Sequence, residues 1–178
     1  MMADITPIDS SELPGIDSPP ATEDVLGEED RRYRLALERG VRLLAQREHS
    51  VRELTAKLIA KGFDAATAGL VVDDLRGRGL QSDIRFAESH VHSRIGRGHG
   101  PIRIRQELAA RGVDDEVADE VLTASTDYWL DLAREARKKK FGDAAPKSRD
   151  DWNRQARFLA QRGFPSDLIY RVLGRVAG

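Results

Sequence analysis

Leu58-Ile59-Ala60-Lys61-Gly62-Phe63, Leu108-Ala109-Ala110-Arg111-Gly112-Val113 and Leu159-Ala160-Gln161-Arg162-Gly163-Phe164 are one short phrase written three times. The glycines stand 50 and then 51 residues apart, so the chain reads as a tandem array of one supersecondary unit. Each copy fits the end of a helix, position by position. Glycine at C′ takes the left-handed backbone conformation that a side chain disfavours. The cation before it meets the negative end of the helix dipole, and the leucine at C3 meets the apolar residue at C″.

Working outward, Asp64 and Asp114 are good N-caps for a following helix, and Pro165 at the equivalent place suits an early helical position. That following helix carries Ala68, Val71 and Val72, then Ala118, Val121 and Leu122, then Ile169, Val172 and Leu173, one apolar stripe per copy. Twelve residues before each glycine stand Ser50, Gly100 and Asp151, all N-cap types. Ser50 with Glu53 forms a capping box, and Pro101 follows Gly100 at the first helical position. In the third copy Ser148 competes with Asp151 as the start, which leaves that boundary open by one turn.

A further helix opens each unit. Tyr33 to Leu44 keep helical rhythm within about 29–47, Ser82 caps a helix through Phe86, Ala87 and Val91, and Trp129 to Ala133 lie in one that starts near Thr126. An insertion at Phe141 to Ser148 delays the second helix of the third unit, and the last helix occupies about 166–176. The expected fold is all-α: nine helices in an elongated tandem array of three three-helix repeats, at 29–80, 81–125 and 126–178. A disordered acidic tail over 1–28 precedes them.

Composition supports this organisation. At 6% aromatic the chain lacks large anchors for one thick core, and units of about 50 residues gain stability by stacking. It contains no cysteine, which excludes disulfides and thiolate metal sites, and no signal or membrane-length apolar run, which predicts a soluble cytoplasmic protein. The net charge of −1 hides an asymmetry. Residues 1–30 hold nine acidic side chains and no Lys or Arg, whereas the remainder holds all 29 basic residues against 21 acidic ones, a formal +8. Such a tail promotes solubility, or folds back over a basic face and competes with a polyanion.

Candidate chemistry is sparse. Gly96, Gly98 and Gly100 follow no strand and precede no Gly-Lys-Ser/Thr, so they read as a flexible interhelical loop and not a phosphate cradle. His90 and His92 are two apart and point opposite ways on a helix, which is wrong for a metal, and His49 reads as a solvent-exposed neighbour of the Ser50 cap. No grouping of Ser, His and carboxylate carries a catalytic motif, so neither catalytic nor metal nor cofactor-binding residues are assigned and no enzyme is expected. What remains is basic: Arg94, Arg97, Arg103, Arg105, Arg137, Lys138, Lys139 and Lys140 are the contact candidates. Arg103, Glu107 and Arg111 also suit a solvated i, i+4 ladder. A surface of this kind could track phosphates or dock on an acidic protein groove.

Ser82-Asp83-Ile84-Arg85-Phe86-Ala87-Glu88, then Arg97-Gly98-His99-Gly100-Pro101-Ile102-Arg103-Ile104-Arg105-Gln106-Glu107-Leu108, with Arg47-Glu48-His49-Ser50 and Glu53-Leu54 upstream, resembles the RecX family of bacterial recombination regulators. The resemblance covers residues 33–176 and is densest in the first two units. It implies an all-helical monomer of three three-helix repeats that binds the RecA recombinase filament, lying in its helical groove. It further implies inhibition of RecA ATPase, strand exchange and coprotease activity, and hence modulation of DNA repair and the SOS response. Binding to single- or double-stranded DNA is also implied, so a helical DNA-binding protein that occupies substrate is the alternative. One departure from the family pattern is Ser82-Asp83-Ile84, where an acidic pair is usual ahead of Arg-Phe-Ala.

Overall fold

The computed structural model describes residues 22–174, with side chains from residue 27 onward. Nine α-helices and no strand are present among the described residues. The first repeat comprises α1 (Thr22–Gln46), α2 (Val51–Ile59) and α3 (Ala65–Gly77); the second, α4 (Asp83–Gly96), α5 (Pro101–Ala109) and α6 (Asp115–Val121); the third, α7 (Thr126–Phe141), α8 (Arg149–Gln161) and α9 (Ser166–Leu173). Every extensively packed pair of helices belongs to a single repeat. The array is therefore elongated, each unit meeting only its neighbours.

The thrice-written phrase ends α2, α5 and α8 as Schellman turns. Phe63 N donates to Leu58 O at 3.3 Å, Val113 N to Leu108 O at 3.2 Å and Phe164 N to Leu159 O at 3.1 Å, with the glycine N–H closing the inner bond each time. Two more turns of the same kind follow α3 and α4, at Gly79 and Gly98. The stretch expected to be a flexible loop is thus a helix cap: His99 N donates to Arg94 O at 3.0 Å, because Gly98 adopts a φ of +71°.

Other boundaries also shift. The first helix begins at Thr22 instead of 29; no proline follows Pro20 to interrupt its hydrogen-bond ladder. The expected disordered tail otherwise falls on residues 1–21, outside the described residues, as does the end of the last helix beyond 174. In the third repeat Ser148 is the N-cap, its hydroxyl accepting from Asp151 N, while Asp151 accepts from Lys147 N at 3.1 Å. Pro165 stands at the N-cap of α9 itself.

Apolar stripes close three cores. Leu54, Leu58, Val71 and Leu75 surround Ala36 in the first, where Gly40 admits Leu75; a Cβ there would lie 2.7 Å from its Cδ1. Phe86, Ile104 and Leu108 form the second, which takes in Trp129, Leu130 and Leu168 from the third repeat. Leu159, Phe164, Ile169 and Leu173 form the last.

Candidate functional site

The second helices of the repeats meet end to end. Gly100 N donates to Arg162 O at 2.7 Å and Ile102 N to Gly163 O at 3.0 Å, so the free N–H groups that open α5 satisfy the free carbonyls that close α8. At the other joint the Ser50 hydroxyl, which caps α2, also donates to Arg111 O at 2.7 Å, at the end of α5. Positive and negative helix ends therefore face each other along the line α8, α5, α2. The cation before each C′ glycine turns with its joint: Arg111 reaches Glu53 of the first repeat at 3.4 Å, and Arg162 reaches Arg97 O of the second at 2.5 Å.

Two carboxylates organise the cations around these joints. Glu53 binds Arg47 at 3.0 Å and His49 at 3.3 Å as well as Arg111. Glu107 gathers Arg94, His90 at 3.0 Å and Arg103 at 3.1 Å, with His99 at 3.8 Å. Burial acts to raise the Glu107 carboxyl, but the hydrogen bonds from Arg103, Arg94 and His90 outweigh it and hold it at about 2. Burial, reinforced by Arg47, lowers His49 below the ordinary imidazole value; burial likewise lowers His90 and His99.

Several sequence expectations change here. His49 is buried, not solvent-exposed, because its carbonyl accepts from the buried Gln81 amide at 3.1 Å and its ring packs against Glu53. The capping box is half formed: Ser50 accepts from Glu53 N, while the Glu53 carboxylate is drawn to Arg47, His49 and Arg111. The ladder stops at Arg103–Glu107, since Arg111 binds the Glu107 carbonyl and the Glu53 carboxylate. Ser82 caps α4, which leaves the Asp83 carboxylate to accept from Val51 N at 2.9 Å and tie the repeats together.

The contact candidates separate into groups. Arg137 is buried, donating to Gln155 at 2.8 Å and to the carbonyls of Gly142 and Ala144, so it anchors the insertion instead of facing solvent. Arg94 and Arg103 are held by Glu107, Arg105 by Asp119 and Lys138 by Asp143. Arg97, Lys139 and Lys140 are exposed and have no carboxylate partner among the described residues.

These last three converge. Arg97, Lys139, Lys140 and Arg162 line a cleft of about 200 Å³ between the second and third repeats, with Glu135 the one carboxylate among the described residues that line it. A cleft of about 310 Å³ between the first and second repeats is lined by Arg47, Arg94, Arg111 and again Arg97, beside Glu48, Glu53, Ser89 and Ser93. Arg97 therefore joins both clefts into one basic surface crossing both joints. Sequence reading assigned Arg111 to a solvated ladder and left out Arg47 and Arg162; their position beside helix ends was the available signal, since that is where neighbouring repeats meet.

The sequence matches the family descriptions "RecX, first three-helix domain" over residues 36–75, "RecX, second three-helix domain" over 82–122 and "RecX, third three-helix domain" over 126–173. It is 47% identical to the regulatory protein RecX of Halorhodospira halophila over 129 residues, 72% of this chain and 80% of that one. The chain belongs to the RecX family. The RecX of Chromohalobacter salexigens is 47% identical over 75% of this chain and 87% of its own, and that of Acidithiobacillus ferrooxidans 40% over 75% and 85%. Two solved RecX structures share the fold at 21% identity. One has a TM-score of 0.74 over 88% of this chain and 78% of its own; that from Lactobacillus salivarius has 0.66 over 80% and 95%. Relatives of this RecX-family chain thus carry the name of regulatory proteins. No described helix is long and apolar enough to cross a membrane, and no described cluster of His and carboxylates could hold a metal ion.

Proposed function

We propose that the protein is a monomeric cytoplasmic regulator that binds the RecA–DNA filament and restrains its ATPase, strand exchange and coprotease activities without performing chemistry of its own. The observation that carries this reading is the basic surface that runs across both joints and is lined from all three repeats, with Arg97, Lys139 and Lys140 free of carboxylate partners among the described residues. Modest contacts distributed over a rigid array add through effective concentration, which suits a partner built of repeating protomers.

The test is RecA ATPase inhibition at fixed RecA with DNA titrated upward. Inhibition that survives excess DNA supports contact with the filament; inhibition that vanishes whenever DNA is in excess means the protein acts by occupying DNA. Charge reversal of Arg97, Lys139 and Lys140 together should raise the concentration needed for half-inhibition by about tenfold or more at low salt. Reversal of Arg105 and Lys138, which lie outside both clefts, should change it far less.

A further inference from the structure

The outer face of α1 carries a line of cations that the two clefts do not include. Arg31, Arg32, Arg39 and Arg42 lie three, four or seven positions from Leu35, so they share one side of the helix with that half-exposed leucine. The opposite side, through Ala36, packs on α2 and α3. Arg42 is paired with Glu38, but Arg31, Arg32 and Arg39 have no carboxylate partner among the described residues. Arg39 Nε is buried and finds no hydrogen-bond acceptor among those residues either. Arg31, Arg32 and Leu35 border an open groove of about 540 Å³ beside Glu28. At its far end α1 delivers Arg47 to the cleft that Arg94, Arg97 and Arg111 also line.

The chain carries the matching charge in the segment before α1. Residues 1–21 contain Asp4, Asp9, Glu12 and Asp17 with no Lys or Arg, and they precede the matched domains, the first of which begins at residue 36. The lengths agree as well. The 25 residues of α1 span about 37 Å at a rise of 1.5 Å per residue. An extended chain advances about 3.3 Å per residue, so Asp9 to Pro20 can cover about 40 Å.

We propose that this acidic segment docks antiparallel on the outer face of α1 and ends in the cleft between the first and second repeats, where it competes with the filament. With Pro19, Pro20 and Ala21 used to reverse direction, Asp17 comes within side-chain reach of Arg31 and Leu13 comes level with Leu35. Glu12 then stands beside Arg39 and Asp9 near the end of α1, which leaves Asp4 to enter the cleft at Arg47 and Arg97. Exposed ion pairs are individually weak, but a tethered segment meets its site at high effective concentration. The contact itself is independent of the filament reading; the competition rests on that reading.

The experiment uses the full chain, whose lack of cysteine allows a single nitroxide on Ser10→Cys. At low salt the label should broaden the amide resonances of Arg39 to Arg47 and of Ser93 to Arg97, while those of α8 and α9 remain sharp. Raising the salt to about 0.5 M, which shortens electrostatic reach to a few ångströms, should reduce the broadening by about threefold or more. Replacing Asp4, Asp9, Glu12 and Asp17 by their amides should do the same at low salt; all four precede the helices, so folding is not at stake. Broadening no greater on α1 than on α9, or indifferent to both salt and neutralisation, would overturn the docking. So would broadening of equal strength when the label and the observed amides are on different copies, which would place the segment on a neighbour. The neutralised tail should also lower the concentration needed for half-inhibition of RecA ATPase by about threefold at low salt, and an unchanged value would overturn the competition. The label needs no RecA, so its failure counts against the tail contact alone, whereas failure in excess DNA counts against the filament reading.

Discussion

The two joints use the same helix ends but are built from different materials. Between the first and second repeats the contacts are polar: Ser50 with Arg111 O, Asp83 with Val51 N, Gln81 with His49 O, Arg111 with Glu53 and Arg85 with Glu48. Between the second and third, Trp129, Leu130 and Leu168 enter the core of the second repeat, and backbone meets backbone at Gly100 and Gly163. A joint of hydrogen bonds and ion pairs depends on geometry and on salt, whereas an apolar joint depends on area. The second and third repeats should therefore behave as one cooperative block, to which the first is attached more loosely.

The largest effect expected is at the apolar joint. Trp129→Ala removes a nearly buried indole and should cost about 3–5 kcal/mol in chemical denaturation. It should also split the block, so that hydrogen exchange reports separate opening of the third repeat; a single cooperative transition with little loss would remove the contrast between the joints.

The C′ glycines rank the joints more finely. A Cβ on Gly163 would lie 2.4 Å from Arg103 N, on Gly112 2.8 Å from Arg52 Cβ, and on Gly62, at the free end of the array, would meet nothing within 4 Å. All three have positive φ, so Gly62→Ala should cost only left-handed strain, about 1–2 kcal/mol. Gly163→Ala adds a backbone collision and should cost about 3 kcal/mol or more. Equal melting-temperature losses for the three variants would show that the joints do not feel these glycines.

At the polar joint, Ser50→Ala removes a helix cap and the donor to Arg111 O together, and should cost about 1–3 kcal/mol. Exchange should rise in α1 to α3 and remain unchanged in α7 to α9.

Acidification produces the gentlest change. Burial and Arg47 depress His49, so the neutral ring is favoured in the folded state; its contribution is complete above the ordinary imidazole value of 6.5 and is lost as pH falls below it. The Glu53 carboxyl is also lowered, Arg47 and His49 outweighing its burial, so its contribution is present above 4.5 and lost as pH falls through its folded value. Both act in one direction: denaturation midpoints should decline from pH 7 to 4, with His49→Gln flattening the upper part of the slope. Glu107, at about 2, retains its cluster in the second repeat to lower pH.

Helix ends were legible in the sequence because a Schellman turn is decided within six consecutive residues. Gly98 followed the same rule but stood among other glycines, so its local meaning was obscured by composition. His49 and Arg137 were misplaced for another reason: their burial comes from Gln81, Glu53 and Gln155, and a polar side chain is interior only when such partners arrive. Of the contact candidates, Arg97, Lys139 and Lys140 were visible as cations but not as neighbours, since 42 positions of chain separate Arg97 from Lys139.

Sequence alone determined the period, the number of repeats, the residues that end each helix and, by resemblance, the family. All rest on interactions a few residues long or on a pattern repeated at fixed spacing. Tertiary structure alone decided which glycine abuts backbone and which stands in open space, and which cations share a cleft. Ser50 meets Arg111 across 61 positions and Arg162 meets Arg97 across 65, and no local propensity specifies which carbonyl a hydroxyl or guanidinium will find at such a distance.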